Sequence, residues 1–269
     1  MPYDESAPRA AFNLVADTID ATAVKNPVNF WLRSESRREL LATFPAGSAL
    51  IEIGCGTGAD AVFLAEQGRR IAAFDISDRM VELARQRVAT RKLERTVLLW
   101  RGRLNEVTAE LSRSRWCPFD GAYASFSLAY EESLQDVARL VHSLLKLGAR
   151  FVFTVPNRLC VSNLAAAVVR LRIRRAVERF EDPIWVTIRG TTVRVRTYTQ
   201  ARVRAILKGL FEVEGIAGLP VFMPPPSLYN PSFERVRAKL ELFDNHLARR
   251  FPWRLLGDST LFRTRKVGR

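Results

Sequence analysis

The run Ala49-Leu50-Ile51-Glu52-Ile53-Gly54-Cys55-Gly56-Thr57-Gly58 carries the decision about the fold. Four apolar residues and one acid run straight into three glycines at alternate positions, and Ala59-Asp60-Ala61-Val62-Phe63-Leu64 continues with helical character. A short apolar run bounded by glycines reads as a buried strand that stops where a helix begins. Glycines at that junction let the backbone turn tightly and approach a ligand with no Cβ in the way. The helix N-terminus beyond them adds free N–H groups and a positive dipole end, which favour a carboxylate. Asp75 lies 21 residues after Gly54 and closes the next apolar run. From there a carboxylate can accept hydrogen bonds from both hydroxyls of a ribose.

Outward from this motif, apolar runs alternate with helical stretches, the signal of βαβ units and a parallel sheet. Strands are predicted at Ala49–Ile53, Arg70–Phe74, Thr96–Trp100, Phe119–Ser125 and Arg150–Val155. A helix to Gln67 stops at Gly68, Ser77 caps a helix to about Arg91, and Ser133 starts one to Leu147. Residues 1–46 read as two helices, the second through Asn29–Phe44 with Pro27 near its start. After strand five, Leu159–Val177 reads as a basic helix. Pro183–Ile188 and Thr192–Thr197 flank Arg189-Gly190-Thr191 as a hairpin, and Thr199 caps a helix to Lys208. Phe211–Ile216 is a sixth core strand, Pro220–Pro226 breaks regular structure, and Ser232–Arg249 is helical. Asp258–Arg265 is the final strand.

The chain has 269 residues, 48 % of them hydrophobic, enough to bury a sizeable core as one α/β domain with appended pieces. It has no uninterrupted apolar run long enough for a membrane span, and its first residues do not read as a signal peptide. Cys55, Cys117 and Cys160 are too scattered for a disulfide framework or zinc site, which fits a reducing cytoplasm. The net charge of +14 invites a nucleic-acid partner. Against that, the cations are spread along the chain, with one denser patch at Arg170, Arg172, Arg174, Arg175 and Arg179, and RNA-binding signatures are absent.

Two cofactor classes satisfy the glycine motif. Gly54-x-Gly56-x-x-Ala59 with a later acid also fits the dinucleotide fingerprint. Three features favour S-adenosylmethionine (SAM) over a dinucleotide: Glu52 two residues before the first glycine, Thr57-Gly58 closing the loop, and a helical region ahead of the first strand. The stretch ALIEIGCGTGADAVFLAEQGRRIAAFDISDRMVELARQR resembles the SAM-binding half of class I SAM-dependent methyltransferases, in the small-molecule branch with the ubiquinone/menaquinone C-methyltransferase-like enzymes. The resemblance covers residues 25–157. The segment from Val155 to Cys160, the hairpin, the Pro-rich loop and Gly257-Asp258-Ser259-Thr260 are similar to a bacterial subgroup of the same enzymes.

The resemblance implies a Rossmann-like seven-stranded, mostly parallel sheet in the order 3-2-1-4-5-7-6, with the last strand antiparallel. It implies residues 1–46 as a helical lid and 47–269 as the methyltransferase domain, with insertions 158–198 and 219–256 covering the substrate. Glu52 and the backbone of Gly54, Cys55, Gly56 and Gly58 would hold the methionine portion of SAM, and of its product S-adenosylhomocysteine (SAH). Asp75 would hold the ribose, Ile76 would pack on the adenine, and a Leu104 backbone N–H would meet the adenine edge. Arg103 departs from the family, which commonly has an acid there; Asn105 is the candidate substitute. Ser125 and Phe126 would lie beside the sulfonium.

Methyl transfer from a sulfonium is mainly a matter of positioning and desolvation, with a base needed only where the nucleophile must lose a proton. His246 in the late helix is one candidate base; Tyr130 and Glu131, just past strand four, are the others. His142, mid-helix among apolar neighbours, reads as structural. Ser125-Phe126-Ser127-Leu128 stands where nucleic-acid amine methyltransferases carry an Asn/Asp-Pro-Pro-aromatic motif. Cys117-Pro118 is the reverse of a cytosine-C5 nucleophile motif, and no acid cluster suggests a metal. Trp185, Phe222, Met223 and Tyr229 are candidates to line an apolar acceptor pocket, and Tyr3, Phe12, Phe30 and Trp31 to form the lid. The expected partner is therefore a small-molecule acceptor at O, N or C. RNA or protein methylation, SAM binding without methyl transfer, and NAD-linked oxidoreduction are the alternatives.

Overall fold

The computed structural model describes residues 6–160, 183–224, 226 and 229–268. Two helices come first, α1 (Ser6–Lys25) and α2 (Pro27–Thr43). The alternating region follows as β1 (Ala49–Ile53), α3 (Ala59–Glu66), β2 (Arg70–Asp75), α4 (Asp78–Thr90), β3 (Val97–Arg101), α5 (Leu104–Arg113), β4 (Phe119–Ala124), α6 (Leu134–Leu144) and β5 (Leu145–Pro156). The last part is β6 (Ile184–Ile188), β7 (Thr191–Val195), α7 (Gln200–Leu207), β8 (Phe211–Leu219), α8 (Glu234–Leu247) and β9 (Ser259–Lys266).

Seven strands form one sheet in the order β3-β2-β1-β4-β5-β9-β8, while β6 and β7 pair as a separate hairpin. With the hairpin set aside, β8 and β9 are the sixth and seventh core strands, and the order is the expected one. β1 through β5 run parallel, and β9 is antiparallel to both β5 and β8. Among the described residues no helix is long and apolar enough to cross a membrane.

Every residue of β1 is buried because helices cover both faces of the sheet. Ala49, Ile51 and Ile53 face a cluster with Val107, Leu111, Val141 and Leu207 from α5, α6 and α7. Leu50 faces the other side, with Leu40 of α2 and Leu64 of α3. The period of two therefore turns Glu52 toward the α2/α3 side.

Element ends differ from expectation for local reasons. Asn26 caps α2, its Oδ1 accepting the Val28 and Asn29 N–H groups at 3.0 and 3.3 Å, so the helix starts at Pro27 instead of Asn29. The helix expected to reach Leu147 ends at Leu144; the chain joins β5 at Leu145, and the β4–β5 register shifts between Phe119 and Gly121. The segment after Gly102 winds into α5 from Leu104, a helix between the third and fourth strands. The helix expected at 159–177, its arginine patch (Arg170, Arg172, Arg174, Arg175, Arg179) and Tyr3 lie outside the described residues, apart from Leu159 and Cys160.

Candidate active site

At the carboxyl end of β1 the glycine loop folds back onto β2, with the Gly54 and Cys55 N–H groups donating to the Phe74 carbonyl at 3.0 and 2.9 Å. A Cβ on Gly54 would lie 2.4 Å from the Ser127 Cβ, so this glycine is required by packing. Gly56 differs: it has φ +52°, and its nearest neighbour would be the Met80 Sδ at 3.9 Å. The loop thus presents bare backbone to a cavity. That cavity is lined by Glu52, Gly54, Cys55, Gly56, Asp75, Ile76, Arg103, Ser125, Phe126 and Tyr130, ten of the residues singled out from the sequence, together with Glu131.

Glu52 is 2 % exposed, and its Oε2 has no hydrogen-bond partner. Burial pushes its carboxyl well above the glutamate range, the charges of Asp60 and Asp75 add to this, and only the approach of the Tyr123 hydroxyl and distant Arg33 oppose it. The Tyr123 hydroxyl closes no hydrogen bond of normal geometry, so it relieves Glu52 only in part. An unpartnered buried acceptor costs about 1–3 kcal/mol, and a cationic ligand group in the cavity would remove that penalty. Asp75 ends β2 with Oδ2 accepting the Gly56 N–H at 2.8 Å and Oδ1 the Ser77 N–H at 2.9 Å. Burial raises its carboxyl despite those bonds. Asp75 therefore holds the glycine loop in shape, and each oxygen keeps a second lone pair for a ligand hydroxyl.

Helix α1 roofs the cavity. Pro8, Phe12, Ile19 and Asp20 all reach it, and the Phe12 ring meets Tyr130 edge-on at 4.8 Å. Asp20 and Arg33, contributed by α1 and α2, escaped the sequence reading. The available signal was helical spacing, which sets Pro8, Phe12 and Ile19 on one face of α1 and Asp20 beside it. Asp20 is desolvated by burial, but the Arg87 and Thr57 bonds and the nearby Arg33 outweigh this and hold it below the usual aspartate value.

At the far end, Ile76, Met80, Gly102 and Arg103 form the wall. The Arg103 guanidinium is nearly buried and pairs with Glu131 at 3.2 Å, while its backbone N–H donates to Glu106 at 2.8 Å. Leu104 is not part of the lining; its side chain is in the core at the start of α5. Asn105 is exposed and also outside it.

Beyond β4, Phe126 has φ +59° and donates its N–H to the Thr154 Oγ1 at 2.6 Å, while the Ser127 hydroxyl donates to the Ile53 carbonyl at 2.5 Å. Ser125 and Ser36 share a hydroxyl contact of 3.0 Å. These bonds lock the turn in a left-handed conformation rare for phenylalanine and aim its ring at the cavity. Burial pushes the Tyr130 hydroxyl above the usual tyrosine value, so it stays protonated at neutral pH and suits a donor better than a base.

Several candidates are not brought together here. His246 is exposed on α8 with Nδ1 2.8 Å from the Leu242 carbonyl, outside the cavity. A base must reach the proton it takes, and this geometry gives His246 no such reach. His142 is structural as expected, its Nε2 2.9 Å from the Val267 carbonyl. Trp185, Phe222, Met223 and Tyr229 do not line the cavity either. Met223 is buried in the core, Phe222 packs on Phe243 and Trp253, and Tyr229 bonds Glu234. The cause is Asp244, whose carboxylate accepts the N–H groups of Val221, Phe222 and Met223 at 2.6–3.1 Å and ties the Pro-rich segment to α8.

The chain is similar to an S-adenosyl-L-methionine-dependent Diels-Alderase of Talaromyces variabilis, 32 % identical over 42 % of this chain and 38 % of that protein. It is 28 % identical to a magnesium-protoporphyrin O-methyltransferase of Rhodobacter capsulatus, over 57 % of this chain and 66 % of that one. In both cases the match spans less than two thirds of the relative. Its fold is like that of a 1,6-didemethyltoxoflavin-N1-methyltransferase from Burkholderia thailandensis, solved with 1,6-didemethyltoxoflavin and S-adenosylhomocysteine: TM-score 0.61, 14 % identity, covering 98 % of this chain and 88 % of that one. Residues 31–200, more than half of the sequence and the whole of the glycine loop, β1–β5 sheet and hairpin, match the methyltransferase domain model, and the chain belongs to that family.

Proposed function

We propose that this protein transfers the methyl group of SAM to O, N or C of a small molecule, a secondary metabolite or its precursor. The observation that carries the reading is the buried, unpartnered Glu52 carboxyl beside the open backbone of Gly56 in one cavity with Asp75. These residues fit SAM: Glu52 for the amino group, Arg33 for the carboxylate, Asp75 for the ribose hydroxyls, and Ile76, Met80 and Arg103 for the adenine. SAM supplies an activated methyl group, so the chain's own task is orientation and exclusion of water. Phe12, Phe126 and the Tyr130 ring make the acceptor side apolar. We assign residues 1–46 as the lid and 158–198 as substrate cover; of the expected 219–256 cover, the Pro-rich part is tied to α8 by Asp244 and does not line the cavity. Within the family we place the chain with the ubiquinone/menaquinone C-methyltransferase-like enzymes, on the glycine loop and Glu52.

The small-molecule acceptor is supported by the acceptors named for the Rhodobacter and Burkholderia proteins. The test is transfer of labelled methyl from SAM to fractionated small-molecule extracts and, in parallel, to total RNA and protein. Label in the small-molecule fraction is expected. Label confined to RNA or protein, or binding of NADH with no binding of SAH, would refute the reading. The likeness to a SAM-dependent Diels-Alderase favours a second reading, SAM as a bound group that is not consumed. Counting SAH formed per product molecule separates the two: one for methyl transfer, none for the alternative.

A further inference from the structure

Asp20 sits where three elements meet. Its Oδ2 accepts the Thr57 hydroxyl of the glycine loop at 2.8 Å and the Arg87 guanidinium of α4 at 2.6 Å. Arg87 also donates to the Thr57 carbonyl and hydroxyl, both at 3.0 Å. The other oxygen, Oδ1, is buried and closes no hydrogen bond; the Arg33 guanidinium lies 3.5 Å from it. Asp20, Arg33, Thr57 and Glu52 line the same cavity.

Elsewhere α1 is held by Asn13, whose Oδ1 accepts the Ser77 hydroxyl at 2.6 Å and the Arg79 N–H at 3.2 Å, and by Phe12 against Tyr130. Its buried residues are Pro8, Ala11 and Ala16, small side chains that give little apolar stabilisation. Its other ion pairs, Arg9–Asp78 and Asp17–Arg79, are between exposed groups, which contribute little in water. Helix α1 thus inserts one carboxylate into the cavity, with one oxygen tied to the glycine loop and the other unfilled. Two unfilled buried acceptors, on Asp20 and Glu52, belong to one cavity wall, while the Arg33 guanidinium stands beside the first. That is a donor and acceptor set for a zwitterion.

Resting on the SAM reading above, we infer that Asp20 binds the amino-acid end of the cofactor and makes closure of α1 conditional on it. The ammonium group fills Oδ1, the Arg87–Thr57 bonds stiffen around Oδ2, and α1 is held shut over the acceptor side through Phe12. An adenosyl ligand without the amino-acid portion fills the adenine end and leaves α1 loose.

The experiment compares SAH with 5′-methylthioadenosine, which has the same adenosyl thioether and lacks the aminobutyrate. Binding is followed by calorimetry, and amide exchange of residues 6–25 reports closure. SAH is expected to protect α1 and methylthioadenosine to leave it near the free protein. Asp20→Asn should weaken SAH roughly tenfold or more by loss of a charge-assisted bond, leave methylthioadenosine within twofold, and abolish the protection. Asp17→Asn, which loosens α1 without touching the cavity, should leave SAH affinity within twofold. Equal protection by both ligands, an equal loss for both in Asp20→Asn, or the same SAH loss in Asp17→Asn would each overturn the inference. If SAH fails to bind the wild-type protein, the cofactor reading falls and this inference with it.

Discussion

Replacing Glu52 with glutamine should move stability and cofactor affinity in opposite directions. The carboxyl is buried with one oxygen unpartnered, and Asp60 and Asp75 add like charge. Its ionised form is therefore disfavoured in the free protein. Glutamine keeps the shape and removes the charge, so the ligand-free protein should melt higher; each kcal/mol corresponds to roughly 2–4 °C in a domain of 150–250 residues. The raised carboxyl also sets the sign of the pH effect. Its protonated form stabilises the fold at low pH, and that contribution is lost as pH climbs from the ordinary glutamate value of 4.5 through the higher folded value. The melting advantage of Glu52→Gln should thus widen as pH rises. Binding works the other way, since an ammonium group draws the ionised form. Losing one charge-assisted hydrogen bond should weaken SAH by about 1.5–3 kcal/mol, roughly ten- to 150-fold. Because the carboxyl must release its proton to receive an ammonium group, the wild-type binding enthalpy should depend on buffer ionisation, and that of Glu52→Gln should not. Scanning calorimetry and titration calorimetry in two buffers read all three effects. A variant that melts lower and binds SAH as tightly as wild type would refute the placement of Glu52 against the cofactor.

Gly54→Ala should lower stability by about 1–3 kcal/mol through overpacking against Ser127, plus strain at φ +71°, and thermal melting reads it directly. Asp244→Ala strips the acceptor from three N–H groups of 221–223 and should cost about 3–5 kcal/mol; denaturant unfolding checks it, and SAH affinity of the folded variant should change little. His246→Ala should leave methyl transfer within twofold across neutral pH, since this side chain bonds its own helix away from the cavity; a loss of a hundredfold or more in kcat would restore it as a base.

Much of this molecule was legible in its sequence because the governing interactions are short-ranged. Apolar runs ending at Gly54 and Asp75 encode buried parallel strands, and glycines at alternate positions encode a backbone that only they can follow. Sheet order followed from the family resemblance, and the hairpin from Arg189-Gly190 between two β-branched runs. The lining of the cavity was legible mostly at and just beyond those strand ends, at Glu52, Gly56, Asp75, Ser125, Phe126 and Tyr130. Among side chains on helices α1 and α2, Phe12 was legible as a lid candidate but Asp20 and Arg33 were not, because a helix offers every direction and only its packing partner selects one. Asp20 and Arg33 reach the cavity because α1 and α2 fold back across the end of β1, a decision made by Phe12 against Tyr130 and by Asp20 against Thr57 and Arg87. His246, Phe222 and Tyr229 stay away because Asp244 binds the Pro-rich segment to α8. Residue types and spacing by themselves determined a SAM-type loop on a parallel sheet; which helical side chains close over it was decided by contacts between residues far apart in the chain, whose geometry exists only once the sheet is assembled.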